Sequence, residues 1–177
     1  VHVVTGAVTA VQNIHRSILR AGVDVRDIVL EPLASSYAVL SDDEKQMGVC
    51  LIDIGGGTTD VAVFIRGGLR YSGIIGLGGQ NVTNDVGIGL RTSWGDAERI
   101  KRVHGSAMRN EIADAEQIEV PGIAGRSVQP MPRRDLAYIV EARMEEHFAL
   151  ARQQLSAGIS GAVLGAGILL TGGGAQV

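Results

Sequence analysis

Apolar positions along this chain follow two periods, and the switches between them outline the elements. Val11, Ile14, Ile18 and Leu19 recur at helical spacing and predict a helix over 10–21, with Thr9 as its cap and Gly22 as its stop. The run 1–4 reads as a strand before it, and 28–30 as a short β-like run after it. Pro32 opens a helix over 33–40, because a first helical turn tolerates proline. The polar stretch 41–46 reads as a surface loop.

From 49 the pattern turns continuous. Residues 49–54 form an apolar, β-branched run, which predicts a buried strand. Residues 55–59 interrupt it, and strands over 60–65 and 69–75 follow, joined by a glycine turn at 66–68. Together they predict an antiparallel meander. Val82, Val86 and Leu90 then place one face on a helix over 80–90. Ala97, Ile100 and Val103 do the same over 96–104. A strand is expected at 117–120, and the proline- and arginine-bearing stretch 121–134 reads as an irregular connection. Leu136, Ile139, Val140, Met144, Phe148, Ala151 and Leu155 line a long helix over 135–157, capped by Asp135 and ended by Gly158. The last strand is predicted over 167–171, ahead of Gly172-Gly173-Gly174. No internal repeat is visible.

Composition narrows the function classes. The chain has 177 residues, room for one good-sized domain or one and a fraction. Its net charge of −3 gives no basic footprint for nucleic acid. Aromatics are only 3%, so the core must come from Val, Ile, Leu and Ala. Cys50 stands alone, which fits a reducing cytosol, and as a small core residue. The four histidines lack metal-ligand spacing, and His104 and His147 read as surface or boundary residues. The apolar run 161–170 is too short and glycine-rich to span a bilayer. A start at Val1, inside a strand, reads as a cropped segment.

The 25 glycines cluster, and the clusters carry the chemistry. In Asp53-Ile54-Gly55-Gly56-Gly57-Thr58-Thr59-Asp60, three glycines strip every Cβ from a turn. Backbone N–H groups can then converge on an anion, and Thr58 and Thr59 add hydroxyl donors. Asp53 ends its strand beside that point, where a carboxylate can hold Mg²⁺ through waters. No Gly-Lys-Ser/Thr is present and a strand follows the glycines, which excludes a Walker A loop and a dinucleotide fingerprint. An ordinary hairpin turn needs one or two glycines and no flanking carboxylates.

This hairpin resembles the second phosphate motif of the actin/Hsp70/hexokinase superfamily. Two further segments are similar to that superfamily in the same order. Glu31-Pro32-Leu33-Ala34-Ser35-Ser36-Tyr37-Ala38 resembles its inter-lobe helix, where the residue matching Glu31 orients the water that attacks the γ-phosphate. The bland alternative is a surface Glu before a Pro-started helix. Ile168-Leu169-Leu170-Thr171-Gly172-Gly173-Gly174-Ala175 resembles the adenosine motif. Glu98 and Lys101, in Ala97-Glu98-Arg99-Ile100-Lys101, are either a solvated ion pair or the pair that lines the sugar and base in actin-like members.

Over its whole length the chain resembles the FtsA family of bacterial cell-division proteins. The middle block carries this: Gly79-Gln80-Asn81-Val82-Thr83-Asn84-Asp85-Val86, Leu90-Arg91-Thr92 and Val103-His104-Gly105. The pilus-assembly (PilM-like) and rod-shape (MreB-like) families share the hairpin and are the alternatives. A sugar kinase, a chaperone ATPase and a nucleotide-free relic of the fold are weaker ones.

The resemblance implies an α/β, actin-like (ribonuclease H-like) ATPase fold. In it, residues 1–40 end subdomain 1A and form the inter-lobe helix. Residues 41–77 and 135–177 make subdomain 2A, and 78–134 make 2B. It implies ATP and Mg²⁺ held by Asp53, Gly55, Gly56, Gly57, Thr58, Thr59, Gly79, Glu98, Lys101, Gly172, Gly173 and Gly174, with Asp53 on the metal side and Glu31 catalytic. It implies an FtsZ tail docked on 2B, self-association into filaments, and a C-terminal helix, absent here, at the inner membrane of the division site. With half a cleft, this chain is not expected to hydrolyse ATP alone, and the whole protein would be at most a weak ATPase. Arg91, Arg99, Arg102, Arg133 and Arg134 are candidates to meet an acidic tail.

Overall fold

A computed structural model describes residues 3, 5–159 and 163–177. Along the chain run α1 (Val8–Arg20), α2 (Glu31–Val39), α3 (Asp42–Met47), β1 (Val49–Ile54), β2 (Thr59–Ile65) and β3 (Gly68–Ile75). They are followed by α4 (Gly79–Leu90), α5 (Trp94–His104), β4 (Gln117–Val120), β5 (Gln129–Pro132), α6 (Arg133–Gly158) and β6 (Gly167–Thr171).

The main sheet has the order β3-β2-β1-β6. β1 to β3 form the antiparallel meander, and β6 lies parallel to β1. Arg66 and Gly67 both take positive φ (54° and 78°), the backbone of a tight two-residue hairpin turn. The sheet's two central strands, β1 and β2, are covered on both faces. Cys50, Ile52, Ile54, Val61 and Val63 face Val82, Val86, Ile100, Leu136 and Val140 of α4, α5 and α6. Val49, Leu51, Ala62 and Phe64 face the other way, with Leu33 and Val39 of α2. Double coverage is why 49–54 reads as an unbroken apolar run. β4 and β5 make a separate two-stranded sheet.

Several expectations are corrected. Thr9 lies inside α1, whose N-cap is Ala7, and no residue of α1 is buried. Of its apolar stripe, Val11, Ile14 and Leu19 are exposed and Ile18 is half-buried. The strand predicted at 1–4 falls largely outside the described residues. The run 28–30 forms no strand, and Ile28 and Val29 are exposed: it pairs with neither edge of the main sheet. The expected loop 41–46 is α3: Ser41 accepts from the Glu44 N–H and Glu44 reaches back to the Ser41 N–H, a full capping box. β5 appears inside the stretch read as irregular, with Pro130 and Pro132 on an edge that needs no donors from them. Val103 points outward and Phe148 is only partly covered. Gly158 belongs to α6. It is glycine because a Cβ there would strike the Tyr71 ring at 2.2 Å.

Candidate functional site

A cleft of about 490 Å³ opens at the glycine end of the main sheet. Its lining includes Gly55, Gly56, Gly79, Gln80, Glu98, Lys101, Gly173 and Gly174. Three glycine segments far apart in sequence therefore meet in one place. The β1–β2 hairpin turn closes with the Gly55 N–H donating to the Thr58 carbonyl at 2.9 Å. The first turn of α4 clamps that hairpin: the N–H groups of Gly79 and Gln80 donate to the carbonyls of Gly55 and Gly56 at 2.9 and 2.8 Å. Gly78 must be glycine for this approach, since its Cβ would stand 2.6 Å from the Gly56 carbonyl oxygen. Thr58 is exposed at the turn. Thr59 is buried, and its hydroxyl donates to the Leu77 carbonyl at 2.8 Å.

Gly56, Gly57 and Gly173 are different. A Cβ on Gly57 or Gly173 would meet nothing within 4 Å, and one on Gly56 only the Gln80 amide at 3.8 Å. None of the three has a positive φ. Neither packing nor backbone geometry within the chain requires glycine there.

One wall of the cleft is a buried polar knot. Lys101, 9% exposed, spends its ammonium on the Gly79 carbonyl (3.1 Å), the Thr83 hydroxyl (2.9 Å) and Glu98 (2.7 Å). The Thr83 hydroxyl also meets Glu98. Burial pushes the Glu98 carboxyl up. The hydrogen bonds from Lys101 and Thr83, with the charges of Lys101 and Arg102, outweigh it and hold the carboxyl below its ordinary value. So Glu98–Lys101 is a positioned, partly desolvated pair joining α4 to α5.

Behind the turn lies an acidic face. Asp53 and Asp60 are directly opposite each other on β1 and β2. By strand alternation both point to the α2 side. Ser35 of α2 donates to Asp53 Oδ2 at 2.8 Å, and Glu31 lies one turn earlier on the same helix face. Burial raises the Asp60 carboxyl, and the charges of Glu31 and Asp53 raise it further. Like charges opposed across two strands are unfavourable unless a cation offsets them. Among the described residues no three carboxylate, His or Cys groups gather as a direct metal cage.

Sequence reasoning missed Trp94, Gln176 and Val177, which also line the cleft, and it offered Arg102, another lining residue, to an acidic tail instead. The signal was present: Trp94, Glu98 and Arg102 step by four along one helix face. It also misjudged His147, which is 1% exposed rather than at a boundary. Cys50 is buried as expected, its thiol pushed up to about 12 by desolvation. Of the five arginines, Arg99 pairs with Asp96, Arg133 with Glu116 and Arg134 with Asp114, so three are engaged within the chain.

The mixed sheet, its two helical layers and the clamped glycine hairpin define an actin-like ATPase fold. MreB5 of Spiroplasma citri bound to ADP superposes with a TM-score of 0.79 at 21% identity, over 98% of this chain and 56% of that one. The PilM–PilN type IV pilus biogenesis complex gives 0.64 at 17%, over 94% of this chain and 41% of that one. The particular family comes from sequence. The model of the cell division protein FtsA family matches residues 50–177. The cell division protein FtsA of Pseudomonas aeruginosa is 46% identical over 98% of this chain and 42% of its own length. That of Bacillus subtilis is 45% identical over 96% of this chain and 38% of its own length. The chain belongs to the FtsA family of actin-like cell-division proteins, and spans about two-fifths of the length of these curated relatives.

Proposed function

We propose that this chain is the nucleotide-holding part of an ATP-binding division protein that links the FtsZ ring to the inner membrane at the septum. The observation that carries the nucleotide reading is the set of open glycines. Gly56 and Gly173 line the cleft and Gly57 follows Gly56 in the same turn; none of the three needs to be glycine for the chain's own sake, and all leave backbone free for a ligand to approach closely. The turn at 55–57 and Thr58 would cradle the phosphates. Gly79, with α4 behind it, would approach them from the side. The Gly172–Gly174 segment would pass along the adenosine, and Glu98 and Lys101 would meet the ribose hydroxyls.

The acidic face supports Mg²⁺ held through waters by Asp53, since Mg²⁺ keeps most of its hydration shell and takes one or two carboxylates. When bound, Mg²⁺ would neutralise the phosphates. Ser35 fixes the Asp53 carboxylate by its hydrogen bond. Glu31, exposed at the start of α2, would orient the attacking water, a positioning task that asks little basicity. Turnover in the whole protein would be slow, and this chain alone would show none.

The subdomain reading follows the same lines. Residues 1–40 would end subdomain 1A and form the inter-lobe helix. Residues 41–77 and 135–177 would make 2A, and 78–134 would make 2B with the docking surface for the FtsZ tail. The separate β4–β5 sheet within 78–134 supports that division. Filament self-association and membrane attachment would belong to the whole protein. Equilibrium dialysis of the full-length protein with Mg·ATP tests the cleft. Saturable binding that Gly56→Val abolishes, with the fold intact by circular dichroism, is expected. Binding that the valine leaves untouched would sink it. Titration with a fluorescent FtsZ tail peptide tests the partner in the same way, with no saturation as the adverse result.

A further inference from the structure

Given that Asp53 holds Mg²⁺ beside the nucleotide, as proposed above, we infer that Lys45 and Tyr37 are positioning residues: their contact straps α2 to α3 and sets the rotation at which Ser35 meets Asp53. The Lys45 ammonium leads to this. Lys45 is 7% exposed, and a lysine so deeply placed is ordinarily paired with a carboxylate. Here its side chain forms no ion pair and no hydrogen bond among the described residues. Its Nζ instead stands 4.7 Å from the centre of the Tyr37 ring and 6.0 Å from that of Phe64. Both distances are within reach of a cation–π attraction.

Burial accounts for Phe64, which is 1% exposed, but not for Tyr37, which is 76% exposed. Within the chain, what the Tyr37 ring does is hold the ammonium. Both ends of this strap are anchored. α3 is fixed by its capping box and by the Gly67 N–H, which donates to the Lys45 carbonyl at 3.0 Å. α2 is fixed to β1 by the Ser35 hydroxyl, which donates to Asp53 Oδ2 at 2.8 Å. Ser35 and Tyr37 are two residues apart and so project about 200° apart around α2. A single restraint lets a short helix roll about its axis, whereas two on opposite sides do not. The segment before α2 adds no hold, since residues 23–29 have no regular structure and are mostly exposed. Rolling α2 would draw Ser35 off Asp53 and carry Glu31, one turn earlier on the same face, with it.

The test is calorimetric titration of the full-length protein with ATP, once with Mg²⁺ and once in excess EDTA. Tyr37→Leu and Lys45→Met are each expected to weaken ATP about 5-fold with Mg²⁺ present and to leave it unchanged in EDTA. Tyr37→Phe, which keeps the ring face, should bind as the parent does. Ser35→Ala should show the same Mg²⁺-dependent loss. Adding Tyr37→Leu to it should cost little more, because both act through one carboxylate. An equal loss in EDTA would overturn the assignment, since it would mean a general loosening of the cleft. So would Tyr37→Phe behaving like Tyr37→Leu, additive losses in the double variant, or parent-like binding in Tyr37→Leu. A parent protein whose ATP affinity ignores Mg²⁺ would overturn the reading of Asp53 itself, and this assignment with it.

Discussion

The turn at 55–57 and the turn at 172–174 are each three glycines long and line the same cleft, yet the chain treats them differently. At 172–174 the glycines are mostly wedged. Gly172 holds φ +87°, and its Cβ would stand 2.5 Å from both Asp53 Oδ1 and the Ile54 carbonyl oxygen. A Cβ on Gly174 would strike the Ile54 side chain at 2.4 Å. At 55–57 only Gly55 is tight, 3.1 Å from the Thr58 carbonyl oxygen, while Gly56 and Gly57 stand in open space. The first kind of glycine is required by the fold. The second is not, and it stands where the proposed nucleotide would approach the backbone.

The largest expected effect attacks the wedged turn. Gly172→Ala meets backbone at 2.5 Å and a disfavoured φ, and should lose about 3 kcal/mol or more of stability by urea unfolding. Parent-like stability would erase the distinction between the two turns. Next comes Lys101→Met, which keeps the stem and deletes the donors. It strands the Gly79 carbonyl and the Glu98 carboxylate, and should cost about 2 kcal/mol by the same measurement. A smaller loss would mean that water replaces the ammonium there.

The open turn should behave in the opposite way. Gly57→Ala is expected to stay within about 0.5 kcal/mol of the parent in stability. It should lose about 10-fold in ATP affinity by equilibrium dialysis, because the methyl occupies ligand space. Loss of stability without loss of binding would reverse the assignment of that glycine.

What the sequence made legible divides along similar lines. β1 and β2 were readable to within a residue because strands buried on both faces are written as continuous apolar runs, and β6 was readable from its apolar run although Ile168 and Leu170 are exposed. α3 was missed although Ser41-Asp42-Asp43-Glu44 spells a capping box, because five polar residues and a single Met47 carry no apolar period to follow. β5 was missed because Pro130 and Pro132 argue against a strand, and only an edge position reconciles them. α1 shows the converse limit. Its period is correct, but a period names a face and not a partner, and the face is open among the described residues. At the site, Glu98 and Lys101 were visible as a pair. That they bind Gly79 and Thr83 of α4 is a tertiary fact that no spacing contains.

His147 gives the smallest effect, one that vanishes at neutral pH, and it extends the comparison into the core. It is a polar group whose polarity the chain does not use. Both ring nitrogens are buried with no hydrogen-bond partner among the described residues. Desolvation, and then the Arg143 charge, lower its pKa from 6.5, against the weaker upward pull of Glu146 and Asp85. A histidine with a depressed folded pKa binds fewer protons folded than unfolded. Its contribution is whole above about 6.5 and is lost as the pH falls from there through the folded pKa. Urea midpoints at pH 7.5 and pH 5 should therefore fall further in the parent than in His147→Leu. The variant should be at least as stable as the parent at pH 7.5, since it removes unpaired polar atoms. Equal acid losses in the two proteins would mean that water reaches the ring and satisfies it. In that case the α4–α6 interface, which Arg143 and Asp85 tie together at 3.0 Å, is wetter than its packing indicates.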